Sequence, residues 1–394
     1  MKDAFYIEVG SAQKSHTGER ICGDMFVSQK VKEEGRTVVV LSDGMGHGVK
    51  ANMLATLTAT MAMNFTREHR DAHKIAEIIM NTLPVCSERK ISYATFTIVD
   101  IEENGQTTII NYDNPETIVM RGAEHLKPEW QNISLDNQAG KGKEIMACTF
   151  EARKEDRIIL TTDGITQSGL GRGKYLLGWG MDNVTGYLSR FVKDHPEVSA
   201  AKLSAQLVNT AHSNDGYQAR DDISSAVVYF REPRRLLLCS GPPFERENDG
   251  ELAAVVKGFR GKKVICGGTT ADIIGRELDI TVEDTLTFED PDLPPVSHME
   301  GIDLVTEGIL TLSKVAGILE KYGQRTDLGP GPADRIIRLF LESDEIQFWV
   351  GTAVNVAHQD PNLPVELEIR RTVVKRIARM LEEKLLKEVS LHFI

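Results

Sequence analysis

Residues 38–51 of the chain, VVVLSDGMGHGVKA, decide its fold. An apolar run leads directly into Asp43 and Gly44, and a glycine-spaced turn then opens into a long helical pattern. The consecutive valines and the glycines that follow favour a buried strand over a helix. A single Asp-Gly pair is more often only the turn that ends a strand. If the same pattern recurs at other strand ends, however, it predicts carboxylates at the edge of a sheet, where a ligand can bind.

Acidic residues do recur at three more predicted strand ends. The segment RIILTTDGI at residues 157–165 leads into Asp163, residues 219–224 present Asp221 before another apolar run, and Asp24 lies in the earlier segment CGDMF. Several carboxylates brought together repel one another unless cations lie between them. No Cys or His ligand spacing accompanies them, and oxygen ligands suit Mg²⁺ or Mn²⁺ better than Zn²⁺. Two such ions a few Å apart are typical of phosphoryl hydrolysis.

In this order, the four motifs resemble the catalytic motifs of the SpoIIE-type branch of the PP2C metal-dependent serine/threonine protein phosphatases. The motifs are Gly23-Asp24, residues 42–48 (SDGMGHG), Thr162-Asp163-Gly164 and Asp221-Asp222-Ile223-Ser224. The resemblance covers about residues 1–232. It implies an αββα sandwich of two facing sheets with a binuclear centre of two Mn²⁺ or Mg²⁺ ions at one edge.

The resemblance also implies a role for each acidic residue. Asp43 would bridge the two ions, and the Gly44 carbonyl would bind one of them, on the side that Asp24 serves. Asp163 and Asp221 would hold the other ion. The metal ligands that the resemblance implies are therefore Asp24, Asp43, Gly44, Asp163 and Asp221, and the residues that would activate water through the metals are Asp43, Asp163 and Asp221.

Three further polar residues are candidates for supporting roles. Asp222 adjoins the last ligand and would support it. His47 follows Asp43 in the glycine-rich turn and could protonate the leaving oxygen as a general acid, since histidine ordinarily titrates near neutrality; the alternative is a purely structural turn. Arg20 lies shortly before the first acidic ligand, where classical PP2C enzymes have an arginine that grips the substrate phosphate, and a guanidinium suits that task. The alternative for Arg20 is a solvated loop residue.

The length, composition, net charge and cysteine count restrict the class of protein. The 394 residues suffice for two or three domains, and the composition is that of a globular protein. The N-terminus has no signal segment and no apolar run is long enough to span a membrane, so we expect a cytoplasmic protein without a membrane partner. The net charge of −12 argues against nucleic acid as the main partner. Five scattered cysteines predict neither a disulfide framework nor a zinc site.

The metal motifs stop before residue 233, where Pro233-Arg234-Arg235 is a predicted linker. The expected domains are therefore a phosphatase domain at residues 1–232 and a second domain at residues 235–394. In the second domain, strands alternate with helices, which predicts an α/β domain with a largely parallel sheet. Three turns after its strands, SGPP, GGTTAD and TEGIL, would direct backbone N–H groups toward one sheet edge and could bind a small anionic ligand. Short strand-to-helix loops use such residues anyway, so the alternatives are a docking module or a homodimerisation module.

The function that these observations favour is hydrolysis of phosphoserine or phosphothreonine on a regulatory protein by water activated at the two metal ions. The resemblance suggests a bacterial signal-transduction role and a substrate of the anti-sigma-factor-antagonist type. One alternative is a regulatory protein in which the sandwich is only a scaffold and the second half senses a ligand. The other alternative is a small-molecule phosphomonoesterase, which would need a more enclosed site than a protein phosphatase.

Overall fold

The structure is a computed structural model that describes residues 5–31, 34–68, 71–82, 94–133, 145–171, 175–285, 287–322, 327–353, 366–385 and 387–394. The chain divides into two units, Met1–Glu232 and Pro233–Ile394. Separate clusters of buried apolar side chains lie in each unit. Within the described residues, no helix is both long and apolar enough to cross a bilayer.

The N-terminal unit contains two antiparallel sheets. The first has the strand order β2-β3-β4-β5-β9-β8 and the second the order β1-β11-β10-β6-β7. The strands are β1 (Tyr6–Lys14), β2 (Met25–Val31), β3 (Arg36–Gly44), β4 (Ala94–Glu102), β5 (Gln106–Tyr112), β6 (Ile118–Arg121), β7 (Glu124–Leu126), β8 (Gln131–Ile133), β9 (Ile145–Glu151), β10 (Asp156–Thr161) and β11 (Ile223–Arg231). The helices are α1 (Gly48–Glu68), α2 (Ala72–Thr82), α3 (Asp163–Thr166), α4 (Met181–Asp194) and α5 (Ala200–Asn214).

Strand β3 explains why an antiparallel strand has an uninterrupted apolar sequence. Alternate residues of a strand point to opposite faces of the sheet. Val39 and Leu41 belong to the apolar cluster between the two sheets, which includes Val228 of β11. Val38 and Val40 belong to the cluster under α1 and α2. Because both faces of β3 are buried, both sets of positions must be apolar. Helices α4 and α5 cover the outer face of the second sheet in the same way, so the predicted αββα sandwich is confirmed.

Residues 11–14, SAQK, are largely polar and by themselves predict a loop. In the structure they continue β1, which pairs with β11 from Tyr6 opposite Arg231 to Lys14 opposite Ile223. Ser11, Gln13 and Lys14 are exposed along that strand. A strand with one solvated face tolerates polar residues there, so polarity alone did not indicate a loop.

The C-terminal unit contains one sheet with the strand order β14-β15-β16-β13-β12-β17-β18. Its strands are β12 (Arg235–Ser240), β13 (Lys262–Cys266), β14 (Val282–Asp284), β15 (Ser297–Met299), β16 (Leu304–Thr306), β17 (Glu345–Val350) and β18 (Glu388–Phe393). Its helices are α6 (Asp249–Gly258), α7 (Gly268–Leu278), α8 (Ile309–Lys321), α9 (Pro332–Glu342) and α10 (Glu366–Leu385). Five strands, in the sheet order β16-β13-β12-β17-β18, each run parallel to their neighbours in this group. Strands β14 and β15 extend the sheet in antiparallel pairing. The predicted largely parallel α/β sheet is confirmed.

Helices cover both faces of this sheet. Leu237 and Cys239 of β12 pack with α6 and α7 on one face. Leu236 and Leu238 pack with α8, α9 and α10 on the other. The long helical pattern of α10 is the last element that the sequence itself indicates, but β18 follows it and pairs parallel to β17. This six-residue strand is only partly buried, so it lacked the continuous apolar run that identified the central strands.

Candidate metal centre and active site

The four predicted acidic ligands lie at the ends of adjacent strands in the two sheets. Asp24 immediately precedes β2 and Asp43 is the second-last residue of β3, and these strands are neighbours in the first sheet. Asp163 begins α3 just after β10, and Asp221 lies just before β11, and these strands are neighbours in the second sheet. The facing sheets therefore each contribute one pair of carboxylates to the same edge of the sandwich.

The electrostatics show that the four carboxyl groups lie close to one another. The pKa of Asp43 is raised to about 10. Burial is the main cause, and the charges of Asp24, Asp163 and Asp221 contribute to the increase. Burial likewise raises the pKa of Asp24 to about 7, with added repulsion from Asp222 and Asp221. Burial raises the pKa of Asp221 to about 6, with Asp163 as the next cause. Burial also raises the pKa of Asp163, whose side chain hydrogen-bonds to that of Asp43. Carboxylates this close need a proton or a cation between them.

Neighbouring groups orient three of these carboxylates. The Thr162 hydroxyl donates a hydrogen bond to Asp24 Oδ2 at 2.9 Å. The Gln167 amide donates to Asp163 Oδ2 at 2.7 Å, from the turn that follows α3. The Asp222 backbone N–H donates to Asp221 Oδ1 at 2.8 Å. These donors reduce the rotational freedom of the acidic side chains before any ligand arrives.

Asp222 connects the segment before β11 to the loop before β2. Its Oδ1 accepts a hydrogen bond from the His16 backbone N–H at 3.0 Å. Its Oδ2 is buried and has no hydrogen-bond partner in the part of the chain that the structure describes. A Cβ on Gly23 would lie 2.5 Å from that oxygen, so a larger residue there would displace the Asp222 carboxylate. The buried, unpaired oxygen of Asp222 is a free acceptor beside the candidate ligands.

A pair of histidines lies in the loops around the carboxylates. The rings of His16 and His47 stack with their centroids 4.2 Å apart. Nδ1 of His47 lies 2.9 Å from Oε1 of Glu19, while its side chain remains 51% exposed. Arg20 is exposed on the same loop as Glu19, and among the described residues it has no hydrogen-bond or ion-pair partner. The sequence indicated His47 and Arg20 as site residues but missed His16, because no motif spacing connects His16 with His47.

The donor atoms fit hard divalent cations. Carboxylates and a backbone carbonyl such as that of Gly44 are the ligands that Mg²⁺ and Mn²⁺ prefer. Within the described residues, no three acidic, His or Cys side chains already surround one point as metal ligands would. Asp43 and Asp163 instead hydrogen-bond to each other. A hydrogen bond between two carboxyl groups needs one shared proton, and a bound cation would take the place of that proton.

The chain resembles one protein family in sequence, and several solved structures are similar to it. Residues 33–231 match the family model of Stage II sporulation protein E (SpoIIE). No curated protein matches the chain. Similar solved structures include the phosphatase domain of SpoIIE from Bacillus subtilis, with 14% identity over 58% of this chain and 94% of that chain and a TM-score of 0.43. They also include the SiaA-PP2C domain of Pseudomonas aeruginosa, with 16% identity over 56% of this chain and 85% of that chain and a TM-score of 0.42.

Proposed function

The chain belongs to the SpoIIE family of PP2C-like phosphatases, and from that premise we propose that its N-terminal unit is a Mn²⁺- or Mg²⁺-dependent protein phosphatase that hydrolyses phosphoserine or phosphothreonine. The observation that carries this proposal is that Asp24 and Asp43 of one sheet and Asp163 and Asp221 of the facing sheet lie together at one edge of the sandwich. A purely structural role would not favour four mutually repelling carboxylates in one place.

The residues that would hold two ions are the four aspartates together with the Gly44 carbonyl. Bound Mn²⁺ or Mg²⁺ would supply Lewis-acid activation of water and would neutralise the charge of the substrate phosphate. The chain itself supplies the orientation of the ligands. Thr162 fixes Asp24, Gln167 fixes Asp163, and the Asp222 backbone fixes Asp221. These three hydrogen bonds hold the carboxylates at the edge of the sandwich where the substrate would bind.

His47 and Arg20 would act on the substrate from the loops. The side chain of His47 is 51% exposed, and both Glu19 and the His16 ring restrict its orientation. In this proposal it gives a proton to the serine or threonine oxygen as that group leaves. The exposed guanidinium of Arg20 would hold the phosphate oxygens, for which its planar set of donors is well suited.

The surface beside the site favours a protein substrate over a small phosphomonoester. Helix α1 begins next to His47, and Val49, Met53 and Leu57 are 59%, 66% and 47% exposed on it. These positions are four residues apart and therefore form one stripe on the helix. An exposed apolar stripe next to an open site is a surface that another protein can cover. On family grounds, the substrate would be a regulatory phosphoprotein of the anti-sigma-factor-antagonist type.

The test is turnover of a phosphoserine protein and of p-nitrophenyl phosphate, with and without Mn²⁺. We expect metal-dependent release of phosphate from the phosphoprotein by the wild-type chain and its loss in Asp43→Asn. The matched control is Asp194→Asn, which removes an exposed carboxylate at the end of α4. Full activity after exhaustive chelation would refute the metal-dependent mechanism. Efficient turnover of the small ester alone would favour the phosphomonoesterase alternative, and no turnover of either substrate would favour the scaffold alternative.

A further inference from the structure

The C-terminal unit contains a cavity of about 380 Å³ at the carboxyl ends of its central strands. It is lined by residues that follow β12, β13 and β16, including Ser240, Gly268 and Gly308, and by Arg370 of α10. The predicted turns SGPP, GGTTAD and TEGIL therefore meet at one place. In open α/β sheets, ligands bind in crevices outside the carboxyl ends of the strands, where neighbouring strands lead to helices on opposite faces. Strands β13 and β16 are such neighbours, since α7 and α8 cover opposite faces.

The N-termini of two helices meet at this cavity. Helix α7 begins at Gly268 and α8 at Ile309, and the residue before each helix is a glycine without a side chain to cap the first N–H groups. A Cβ on Gly308 would lie 3.5 Å from the Gly267 Cα, so the two turns are in contact. Helix N-termini attract anions through their N–H groups and their dipole. Two of them side by side strengthen that attraction.

Ser240 gives an independent indication of a ligand. Its side chain is 1% exposed, lines the cavity, and its hydroxyl has no hydrogen-bond partner within the described residues. Burying a hydroxyl without a partner is unfavourable, and a bound ligand would supply the missing hydrogen bond. Cys266 lies beside it, and burial raises the pKa of its thiol to about 12, so the thiol is uncharged and does not repel an anion.

Arg370 adds a positive charge at the same cavity. A Cβ on Gly241 would overlap its guanidinium, and Gly241 has a φ of +86°, so glycine is required there for two reasons. Arg370 Nη1 donates to the Gly351 carbonyl at 3.3 Å, which holds the side chain in position. A positioned guanidinium next to helix N-termini is a common device for binding phosphate.

Two other lining residues restrict the ligand further. The Glu307 carboxylate would repel a bare anion but would accept a hydrogen bond from a hydroxyl group. Leu310 is 57% exposed at the start of α8 and offers an apolar contact. A cavity of this size lies at the lower end of the range for small-molecule sites.

We propose that this cavity binds a small phosphate ester with free hydroxyl groups, of the size of a sugar phosphate or a mononucleotide. The phosphate lies at the N-termini of α7 and α8 beside Arg370, and Ser240 donates a hydrogen bond to it. Glu307 accepts a hydrogen bond from a sugar hydroxyl.

The test is isothermal titration calorimetry on the full chain with ribose 5-phosphate and AMP, and with ribose and adenosine as partners lacking phosphate. The protein is first passed over a chelating resin, so that phosphate is not drawn to a metal ion in the N-terminal unit. We expect the phosphate esters to bind and the phosphate-free compounds not to bind. Binding of AMP alone would assign a mononucleotide site, and equal binding of both esters would assign a sugar-phosphate site.

Substitution of Gly268 locates the site. The position where a Cβ would lie is open space, so Gly268→Asp and Gly268→Asn are both accommodated. The negative charge of Asp should weaken binding about tenfold or more relative to the isosteric Asn variant. Ser240→Ala should weaken it by about 3- to 10-fold through the loss of one hydrogen bond. Circular dichroism and thermal unfolding confirm that each variant is folded.

Two results would overturn the proposal. The first is no heat of binding with either ester at about 10 mM, ten times the concentration that half-fills a site of millimolar affinity. The second is equal affinity in the Gly268→Asp and Gly268→Asn variants, which would place the bound ester elsewhere. Both results are independent of phosphatase turnover, so failure here leaves the proposed function of the N-terminal unit untouched.

Discussion

The imidazole rings of His16 and His47 stack with their centroids 4.2 Å apart and their planes 8° apart, although the two residues belong to different loops. His16 also anchors its own loop, because its backbone N–H binds the Asp222 carboxylate. The orientation of His47 therefore depends on the loop before β2 as well as on the glycine-rich turn after β3.

His47→Gln should separate a proton-donating role from a structural one. We expect turnover of a phosphoserine protein to fall by about 100-fold or more, because the serine oxygen is a poor leaving group and needs a proton. Turnover of p-nitrophenyl phosphate should change little, since its leaving group needs no acid. Steady-state kinetics on both substrates measure the contrast. An equal loss on both would show that His47 only shapes the turn. His16→Ala should reproduce part of the loss on the phosphoprotein, since it removes the stacking partner.

Asp43→Asn should remove activity and raise stability at the same time. Contacts that merely support a metal ligand are worth 10- to 100-fold, so loss of a ligand shared by two ions should cost more than about 100-fold in turnover. In metal-free buffer, however, the neutral side chain relieves the repulsion among the buried carboxylates. The free energy of unfolding should therefore rise by at least about 1 kcal/mol. Urea unfolding with and without Mn²⁺ tests this, and an Asp43→Asn protein less stable than the metal-free wild type would contradict it.

Each of the four aspartates lies next to one end of a strand that the sequence identifies on its own. The apolar run before Asp43 and the similar run before Asp163 indicate strands without knowledge of their partners. That the strand ends converge followed from the family resemblance and not from periodicity. The raised pKa values of these carboxyls depend on burial by the assembled sandwich, so no local pattern could show them.

The residues that sequence reasoning missed share a different property. His16, Thr162 and Gln167 act on the cluster through contacts across turns and sheets, and their residue types are common in loops. Strand β18 was missed because its partly buried sequence lies at the sheet edge, where apolar residues are not required on both faces. The hydroxyl of Ser240, which has no hydrogen-bond partner within the described residues, could not be predicted either, because its surroundings are formed by three turns that meet in space.

Gly44→Ala should damage the site through packing. A Cβ at this position would overlap the backbone carbonyl oxygen of Ala51 in α1, which cannot move without the helix. We expect a loss of about 1–3 kcal/mol in the free energy of unfolding, with a higher Mn²⁺ concentration needed for activity. The control is Gly186→Ala in α4, where a Cβ meets nothing within 4 Å. That change should stabilise the chain by up to about 1 kcal/mol. Equal stability of the two variants would show that β3 and α1 separate easily.

A chain truncated after Glu232 should fold without the C-terminal unit. Among the described residues, the apolar clusters of the sandwich contain side chains from before position 233 only. Strand β11 pairs with β1 along its length and with β10 over residues 225–229. We expect a cooperative thermal transition and metal-dependent turnover of p-nitrophenyl phosphate. Insolubility of the fragment, with the full chain soluble, would contradict the independence of its core.

The stability of the N-terminal unit should depend on Tyr229 at alkaline pH. Burial raises the pKa of its hydroxyl to about 12, and a hydrogen bond to Glu155 adds to this. Between about pH 10 and pH 12 the unfolded state loses the proton and the folded state keeps it, so stability present below pH 10 is lost as the pH rises. The wild-type advantage over Tyr229→Phe should shrink by about 2 kcal/mol across that window. The matched control is Tyr217→Phe, at a tyrosine that is 70% exposed.

The division of the four aspartates between two sheets also sets when activity can begin during translation. Asp24 and Asp43 leave the ribosome first, but their partners on the second sheet come from residues 163 and 221. At 5–20 residues per second, the interval between Asp43 and Asp221 is roughly 10–35 s. Throughout it the nascent chain lacks Asp221 and cannot complete the carboxylate cluster, because β11 is the strand that joins β1 to β10. Under the proposed function, hydrolysis would thereby be confined to chains whose sandwich has closed, and unfinished chains would not act on phosphoproteins around them.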